Sequence, residues 1–340
     1  MIDRRAWTER LRGTLIPAVP VPRREDGTVD VDAQARYVAY MAARRVSGVA
    51  VWAHTGRGLH LDASQRAAVL RAWREGLGPD RVVIAGAGAL PDRRLEPLAR
   101  LDRLLDESVA MAEHARELGA DALLAYAPVA VEEVPDWDND QRDAWIVEYH
   151  RRLAAVGLPV IAFYLYEAAG GVSYSSAALR GLFSLEGVIG IKVATLDSVM
   201  TFQRIARLIR EEFPDILLIS GEDRMLGYTL MRGAEAALIG MGAALPDVQA
   251  ELVRLAVAGE WGRAVPLSNR IDDFAEVTFT PPMEGYIRRM LWALACLGVI
   301  DPGAAHDPHH PPLQPDECEA IRRAVDALHP LDRAAGRSAA

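Results

Sequence analysis

Lys192 is the only lysine in the chain: of its 38 Lys and Arg side chains, 37 are arginine. It lies in the apolar run GVIGIKVAT over 187–195, which reads as a short buried strand between a glycine turn and a polar helix start. Lysine is among the side chains least often buried, because an unpartnered ammonium in an apolar setting costs so much that the group gives up its proton instead. Arginine keeps its charge under any ordinary condition, whereas a desolvated lysine becomes a neutral amine able to attack a carbonyl carbon. The bland alternative is a strand-end lysine that reaches out to a carboxylate or to solvent. The apolar flanks, and the use of arginine everywhere else, favour amine chemistry.

The rest of the chain supplies a frame for such a residue. Seven other apolar runs, at 13–22, 48–55, 81–88, 120–128, 158–166, 216–223 and 236–242, alternate with segments of helical periodicity. The helices are expected at 31–45, from Asp62 to Gly76, within 95–118, from Asp143 to Val156, near 175–182, from Asp197 to Glu212, at 224–232 and from Pro246 to Ala258. Eight strands each followed by a helix imply parallel strands with helices outside, and a closed (β/α)8 TIM barrel is the economical solution, with a doubly wound open sheet as the alternative. After residue 258 the strand pattern stops. Helical patterns at 261–277, 283–297 and 315–328, separated by Pro-rich stretches, predict a C-terminal helical domain over 259–340 appended to a catalytic barrel over 1–258, with the tail from Asp332 frayed.

Composition narrows the function. A net charge of −9 argues against a nucleic-acid backbone as partner. No apolar run approaches a membrane span and residues 1–12 carry no apolar signal core, so a cytoplasmic location without membrane contact is expected. Cys296 and Cys318 fit a reducing compartment and have no metal-ligand spacing. His306, His309 and His310 sit in a Pro-rich connector and read as a solvated linker, so no metal is expected. Gly86-Ala87-Gly88 is no dinucleotide fingerprint, and Trp73, Trp145, Trp261 and Trp292 read as packing residues.

In a barrel of this kind the active site lies at the C-terminal ends of the strands. That rule selects His54, Thr55, Gly56 and Arg57 after the second strand, Pro128 to Ala130 after the fourth, Tyr164 and Tyr166 at the end of the fifth, Lys192 in the sixth, and Glu222 and Asp223 after the seventh. Side-chain alternation puts Lys192 on one face with the small residues Gly190 and Ala194, leaving room for a ligand.

These residues resemble the dihydrodipicolinate synthase and N-acetylneuraminate lyase family, the pyruvate-type class I aldolases. Residues 13–30 are similar to the family's opening strand and its "P-F-x-x-D-G-x-V-D" turn, His54-Thr55-Gly56 falls on its "S/T-T-G-E" loop, Gly190-Ile191-Lys192 on its "G-I-K" strand, and Ser220-Gly221-Glu222-Asp223 on its "S-G-x-D" strand. The 28-residue step from Tyr164 to Lys192 also matches. The resemblance implies a Lys192 imine with a 2-oxo acid, with no cofactor, Tyr164 as proton donor and acceptor, and Thr55 with the Thr55 and Gly56 N–H groups holding the oxo acid's carboxylate. A plain loop role for Thr55 and a core role for Tyr164 are the alternatives. The resemblance also implies a homo-oligomer, a tetramer or a dimer.

Several positions depart from the family pattern. His54 replaces a hydroxyl residue, Arg57 a glutamate, and the tyrosine expected after the fourth strand is missing from Ala127-Pro128-Val129-Ala130. In the loop from Tyr164 to Gly171, Leu165, Glu167 and Ala169 stand where the family has Asn, Pro and the Arg that grips the aldehyde substrate's carboxylate, so dihydrodipicolinate synthesis is not expected. His54 is the residue able to restore proton transfer near neutral pH, or else a structural histidine. Arg57 supplies a relocated carboxylate grip or pairs with Glu222. The expected function is a Schiff-base aldolase or lyase acting on pyruvate or a 2-oxo-3-deoxy acid. The alternatives are a hydro-lyase using the same imine, and a non-catalytic barrel that binds a small oxo acid.

Overall fold

The computed structural model describes residues 2–337. Eight short strands run parallel: β1 (Leu15–Pro17), β2 (Gly48–Val51), β3 (Val82–Gly86), β4 (Ala122–Ala125), β5 (Val160–Leu165), β6 (Val188–Ala194), β7 (Leu217–Ser220) and β8 (Ala236–Ile239). Each strand pairs with its sequence neighbours from β2 to β8, β1 pairs with β8, and an Ala18–Ala50 bridge joins β1 to β2, so the sheet closes into the expected barrel. Closure removes every exposed edge, which is why strands of three to seven residues suffice.

One side of each strand fills the barrel and the other meets the helices. Ile16, Ala50, Ile84, Leu124, Ile161, Phe163, Ile219 and Leu238 form the inner cluster, whereas Leu15, Val49, Val51, Leu123, Ala162, Tyr164, Val193 and Leu218 belong to the outer layer. The outer layer is covered by α2 (Val31–Ala42), α3 (Ala63–Leu77), α4 (Pro97–Glu117), α5 (Asn139–Ala154), α6 (Ser176–Phe183), α7 (Val199–Glu212), α8 (Leu226–Met231) and α9 (Pro246–Val257). A short leading helix, α1 (Arg4–Leu11), had no strong sequence signal; its Leu11 is fully buried with the inner cluster. Helix α5 begins four residues before the expected Asp143, because Asp138 and Gln141 form a reciprocal capping box.

The barrel is regular except at one place that matters for the site. Val160 is opposite Val188, yet Ile161 is opposite Gly190, so β6 carries one extra residue, Ile189. From there on Phe163 is the partner of Lys192, and Tyr164 is the partner of Val193. A bulge of this kind re-aims every side chain that follows it. Gly190 is required at the irregularity, since a Cβ there would lie 2.6 Å from the Leu217 carbonyl oxygen of the neighbouring strand.

Three helices follow the barrel: α10 (Trp261–Thr278), α11 (Tyr286–Cys296) and α12 (Pro315–Arg337). Helix α10 packs on α8 and α9, α12 on α9 and α10, and α11 on α10 and α12, while the turn before α11 folds back over the strand ends and enters the barrel mouth. The tail is anchored where fraying was expected, at least to Arg337. Asp332 is buried and accepts the Val248 N–H (3.0 Å), supplying a first-turn amide of α9 with a partner, and α12 continues past Pro330. Residues 338–340 of the expected frayed tail lie outside the described residues.

Candidate active site

Lys192 enters the barrel near the C-terminal end of β6 and is 6% exposed. Its Nζ lies 4.1 Å from the centre of the Phe163 ring, and it makes no hydrogen bond or ion pair with the described residues. The side chain lies across Gly221, where a Cβ would come within 2.6 Å of Lys192 Cε, so glycine there keeps the path of the amine open. Burial drives the Lys192 pKa down to about 8, against the opposing charges of Asp223 and Glu222. Burial likewise pushes the Asp223 carboxyl up to about 7, while the Met241 N–H (2.7 Å) and Lys192 hold it down.

A small cavity of about 30 Å³, the size of one water, opens on this amine and is lined in part by His54, Thr55, Tyr166, Asp223 and Tyr286. Around it runs a chain of hydrogen bonds. His54 bonds through Nε2 to Glu284 (3.2 Å) and through Nδ1 to the Tyr286 hydroxyl (3.1 Å), which in turn meets Thr55 Oγ1 at 2.9 Å. Since a carboxylate only accepts, a neutral His54 carries its proton on Nε2, and Nδ1 then accepts from Tyr286. Glu284 also accepts from Tyr166 (3.0 Å) and Arg57 (2.8 Å). Although burial alone would raise it, hydrogen bonds and charge from His54 and Arg57 hold the Glu284 carboxyl down at about 2. Burial, reinforced by neighbouring acidic groups, pushes the Tyr286 and Tyr166 hydroxyls well above the ordinary phenol range, so both stay protonated.

The sequence-selected residues divide accordingly. His54, Thr55, Asp223 and Lys192 converge on one cavity. Tyr164 does not reach it: the ring packs against Tyr174 at 5.5 Å in the layer between sheet and helices, and its hydroxyl bonds Ser173 at 2.9 Å. The expected facing of Tyr164 and Lys192 fails because the bulge moves the register from 28 to 29 residues. Gly56 is also away from the cavity, and the Ala53 carbonyl takes its N–H (2.9 Å). Arg57 does not pair with Glu222; it is held between Glu284 and Asp307 (2.9 Å) and ties the β2 loop to the C-terminal segment.

Glu222 is a brace. It is 1% exposed and accepts from the Thr195 N–H (2.5 Å), the Thr195 hydroxyl (2.8 Å) and the Leu196 N–H (3.1 Å). These bonds hold the turn after Lys192, where Leu196 has a left-handed φ of 66°. Glu222→Gln presents an amide to donors that need an acceptor and is expected to destabilise the protein by about 2 kcal/mol in urea unfolding. An unchanged midpoint would remove Glu222 from this role.

Glu284 and Tyr286 were missed in sequence because they lie in the segment assigned to a separate helical domain. The only available hint was Arg57, an arginine after a barrel strand that needs a carboxylate. His309 lies against His60 with ring centres 4.1 Å apart and planes tilted by 41°, and no metal-binding cluster is present among the described residues. A second, larger chamber of about 260 Å³ adjoins the cavity and shares His54 and Phe163 with it.

Residues 11–328 match the model of the dihydrodipicolinate synthetase family. The chain belongs to this family. It is accordingly a lyase of the class I, pyruvate-aldolase type. Among curated relatives, the 4-hydroxy-tetrahydrodipicolinate synthase of Saccharophagus degradans is 24% identical over 296 residues, 86% of this chain and 91% of that protein. That of Anaeromyxobacter sp. is 26% identical over 293 residues, covering 86% and 90%. Two solved structures share the fold: a dihydrodipicolinate synthase from Agrobacterium tumefaciens, with TM-score 0.77, 23% identity and coverage of 96% and 100%, and the Ruminococcus gnavus sialic acid aldolase, with TM-score 0.76, 17% identity and coverage of 95% and 99%. No helix among the described residues is long and apolar enough to cross a membrane.

Proposed function

We propose that this family member is a Schiff-base aldolase that cleaves or forms a carbon-carbon bond next to a Lys192 imine of a 2-oxo acid, without an added cofactor. The single observation that carries this is a buried, unpaired amine facing a cavity at the mouth of the barrel, in a chain with no other lysine. Lys192 Nζ adds to the ketone carbon of the oxo acid, and the carbinolamine loses its hydroxyl as water. Asp223, whose raised pKa leaves it partly protonated near neutral pH, is the acid beside that step. The protonated imine then draws in the electron pair of the bond between its neighbouring carbon and the hydroxyl-bearing carbon, which leaves an enamine and an aldehyde.

Cleavage requires a base for the substrate's hydroxyl proton. Tyr286, paired with Thr55 and His54, takes this place in the proposal: the proton passes into the hydrogen-bond chain, and His54 accepts it with Glu284 stabilising the imidazolium. The aldehyde leaves, the enamine is protonated at carbon, and water releases pyruvate and the free amine. Loss of the arginine at Ala169, together with the commitment of Arg57, supports a substrate other than the carboxylate-bearing aldehyde of the family's dihydrodipicolinate synthases.

Incubation with pyruvate and borohydride is expected to add a reduced pyruvyl group to Lys192, seen by peptide mass. Absence of an adduct across a panel of 2-oxo acids would leave only a binding protein, and an adduct without carbon-carbon cleavage would favour a hydro-lyase. The amine reacts only when neutral and Asp223 assists only when protonated, so the initial trapping rate is expected to rise from pH 6, peak between about 7 and 8, and fall at higher pH as Asp223 loses its proton. A rate still rising steeply at pH 10 would mean an ordinary lysine.

A further inference from the structure

The chamber next to the lysine cavity is the space a second reactant would fill. Its walls are largely apolar and aromatic, from Trp52, Leu59, Leu124, Tyr126 and Phe163, and Leu90 stands at its edge 48% exposed. Tyr126 and Phe163 meet edge-on, with ring planes at 90° and centres 6.0 Å apart, and leave flat faces. The charged groups that reach this chamber are already spent: Arg57 is held by Glu284 and Asp307, and Glu284 by Arg57, His54 and Tyr166. A carboxylate entering here would meet the Glu284 anion with no free arginine or lysine, and a polyhydroxylated chain would lose its water for too few partners. Two polar side chains are left over, for neither the Tyr126 hydroxyl nor the His60 ring makes a hydrogen bond with the described residues, and His60 lies against His309.

Size agrees with chemistry. A cavity of about 150 Å³ lined by apolar side chains takes up one benzene ring. The 260 Å³ here holds a ring and its substituents, and the shared His54 and Phe163 lead from it to the amine.

We infer that the aldehyde partner in the Lys192 reaction is an aryl aldehyde, its ring in this chamber and a ring hydroxyl on Tyr126. The inference rests on the imine reading above. In the condensing direction the enamine carbon attacks the aldehyde carbon, the carbonyl π pair moves to oxygen, that oxygen takes a proton from the Tyr286 chain, and water hydrolyses the imine. The product is a 4-aryl-4-hydroxy-2-oxobutanoate, and cleavage is the reverse.

The wild-type protein is first trapped with pyruvate and borohydride, then assayed for pyruvate release from three aldol adducts: one aryl, one polyhydroxylated sugar acid and one bearing a terminal carboxylate. The aryl adduct is expected to have a kcat/KM at least ~30-fold above the other two, as burial of an apolar ring in place of polar groups implies. Trapping together with an equal or better rate for the sugar acid or the carboxylate adduct would overturn the aryl assignment while leaving the imine intact. Failure of trapping would overturn both. With Tyr126→Phe, the preference for a hydroxyl-bearing over a plain ring is expected to drop about tenfold; an unchanged preference would mean that the ring lies elsewhere and would overturn the placement.

Discussion

Lys192→Met is expected to abolish borohydride trapping of pyruvate and to lower turnover by at least ~10⁴-fold, as loss of a covalent nucleophile does. No other lysine is available to substitute, so any residual adduct would have to sit on the N-terminus. The same substitution is expected to stabilise the fold, and the sign follows from the shift. The folded-state pKa of Lys192 is depressed from 10.5 to about 8, so below pH 8 the native protein carries the cost of a buried ammonium, on the order of 3 kcal/mol. That cost fades as pH rises from 8 to 10.5, where the unfolded chain also loses its proton. Denaturant unfolding at pH 7 should therefore show Lys192→Met more stable than wild type, with the gap closing toward pH 10.5. A variant less stable at pH 7 would show that the lysine is paired or hydrated, and its amine would then be an ordinary one.

Tyr286→Phe is expected to lower kcat by ~10²- to 10³-fold while changing the rate of pyruvate trapping by less than ~3-fold. Among the described residues the hydroxyl is the only group bonded to both Thr55 and His54, so its removal cuts the proton path after the imine has formed. The ring itself, stacked 4.8 Å from Phe279 and buried, is preserved in phenylalanine, so the fold should not change. Glu284→Gln acts one step further out, through His54, and should reduce kcat by ~10-fold with little change in KM. Tyr164→Phe is the control: its hydroxyl faces Ser173 outside the barrel, and kcat should stay within ~3-fold of wild type. A large loss at Tyr164 with none at Tyr286 would reverse the assignment.

The barrel was legible because its rules are local. Apolar strand runs, helix starts such as Asp62, and strand-to-helix alternation each need only a few adjacent residues, and they recover all eight strands and the helices between them. Lys192 was legible for a related reason, as one amine in a buried strand is anomalous wherever the strand lies. Placing Tyr164 failed on a non-local quantity. Its distance of 28 residues from Lys192 is the register at Val160 and Val188, and one extra residue in β6 turns Phe163 toward the amine and Tyr164 away.

The sequence alone therefore determined the fold class, the single lysine of the buried strand and the strand ends from which a site is built, because these follow from residue type and short-range periodicity. The tertiary structure decided which side chains meet Lys192. A bulge reset the facing of β5 and β6, and a turn more than ninety positions beyond Lys192 carried Glu284 and Tyr286 into the barrel mouth. It also committed Arg57 to two carboxylates, which no spacing along the chain reveals, since the pairing depends on where Glu284 and Asp307 come to rest.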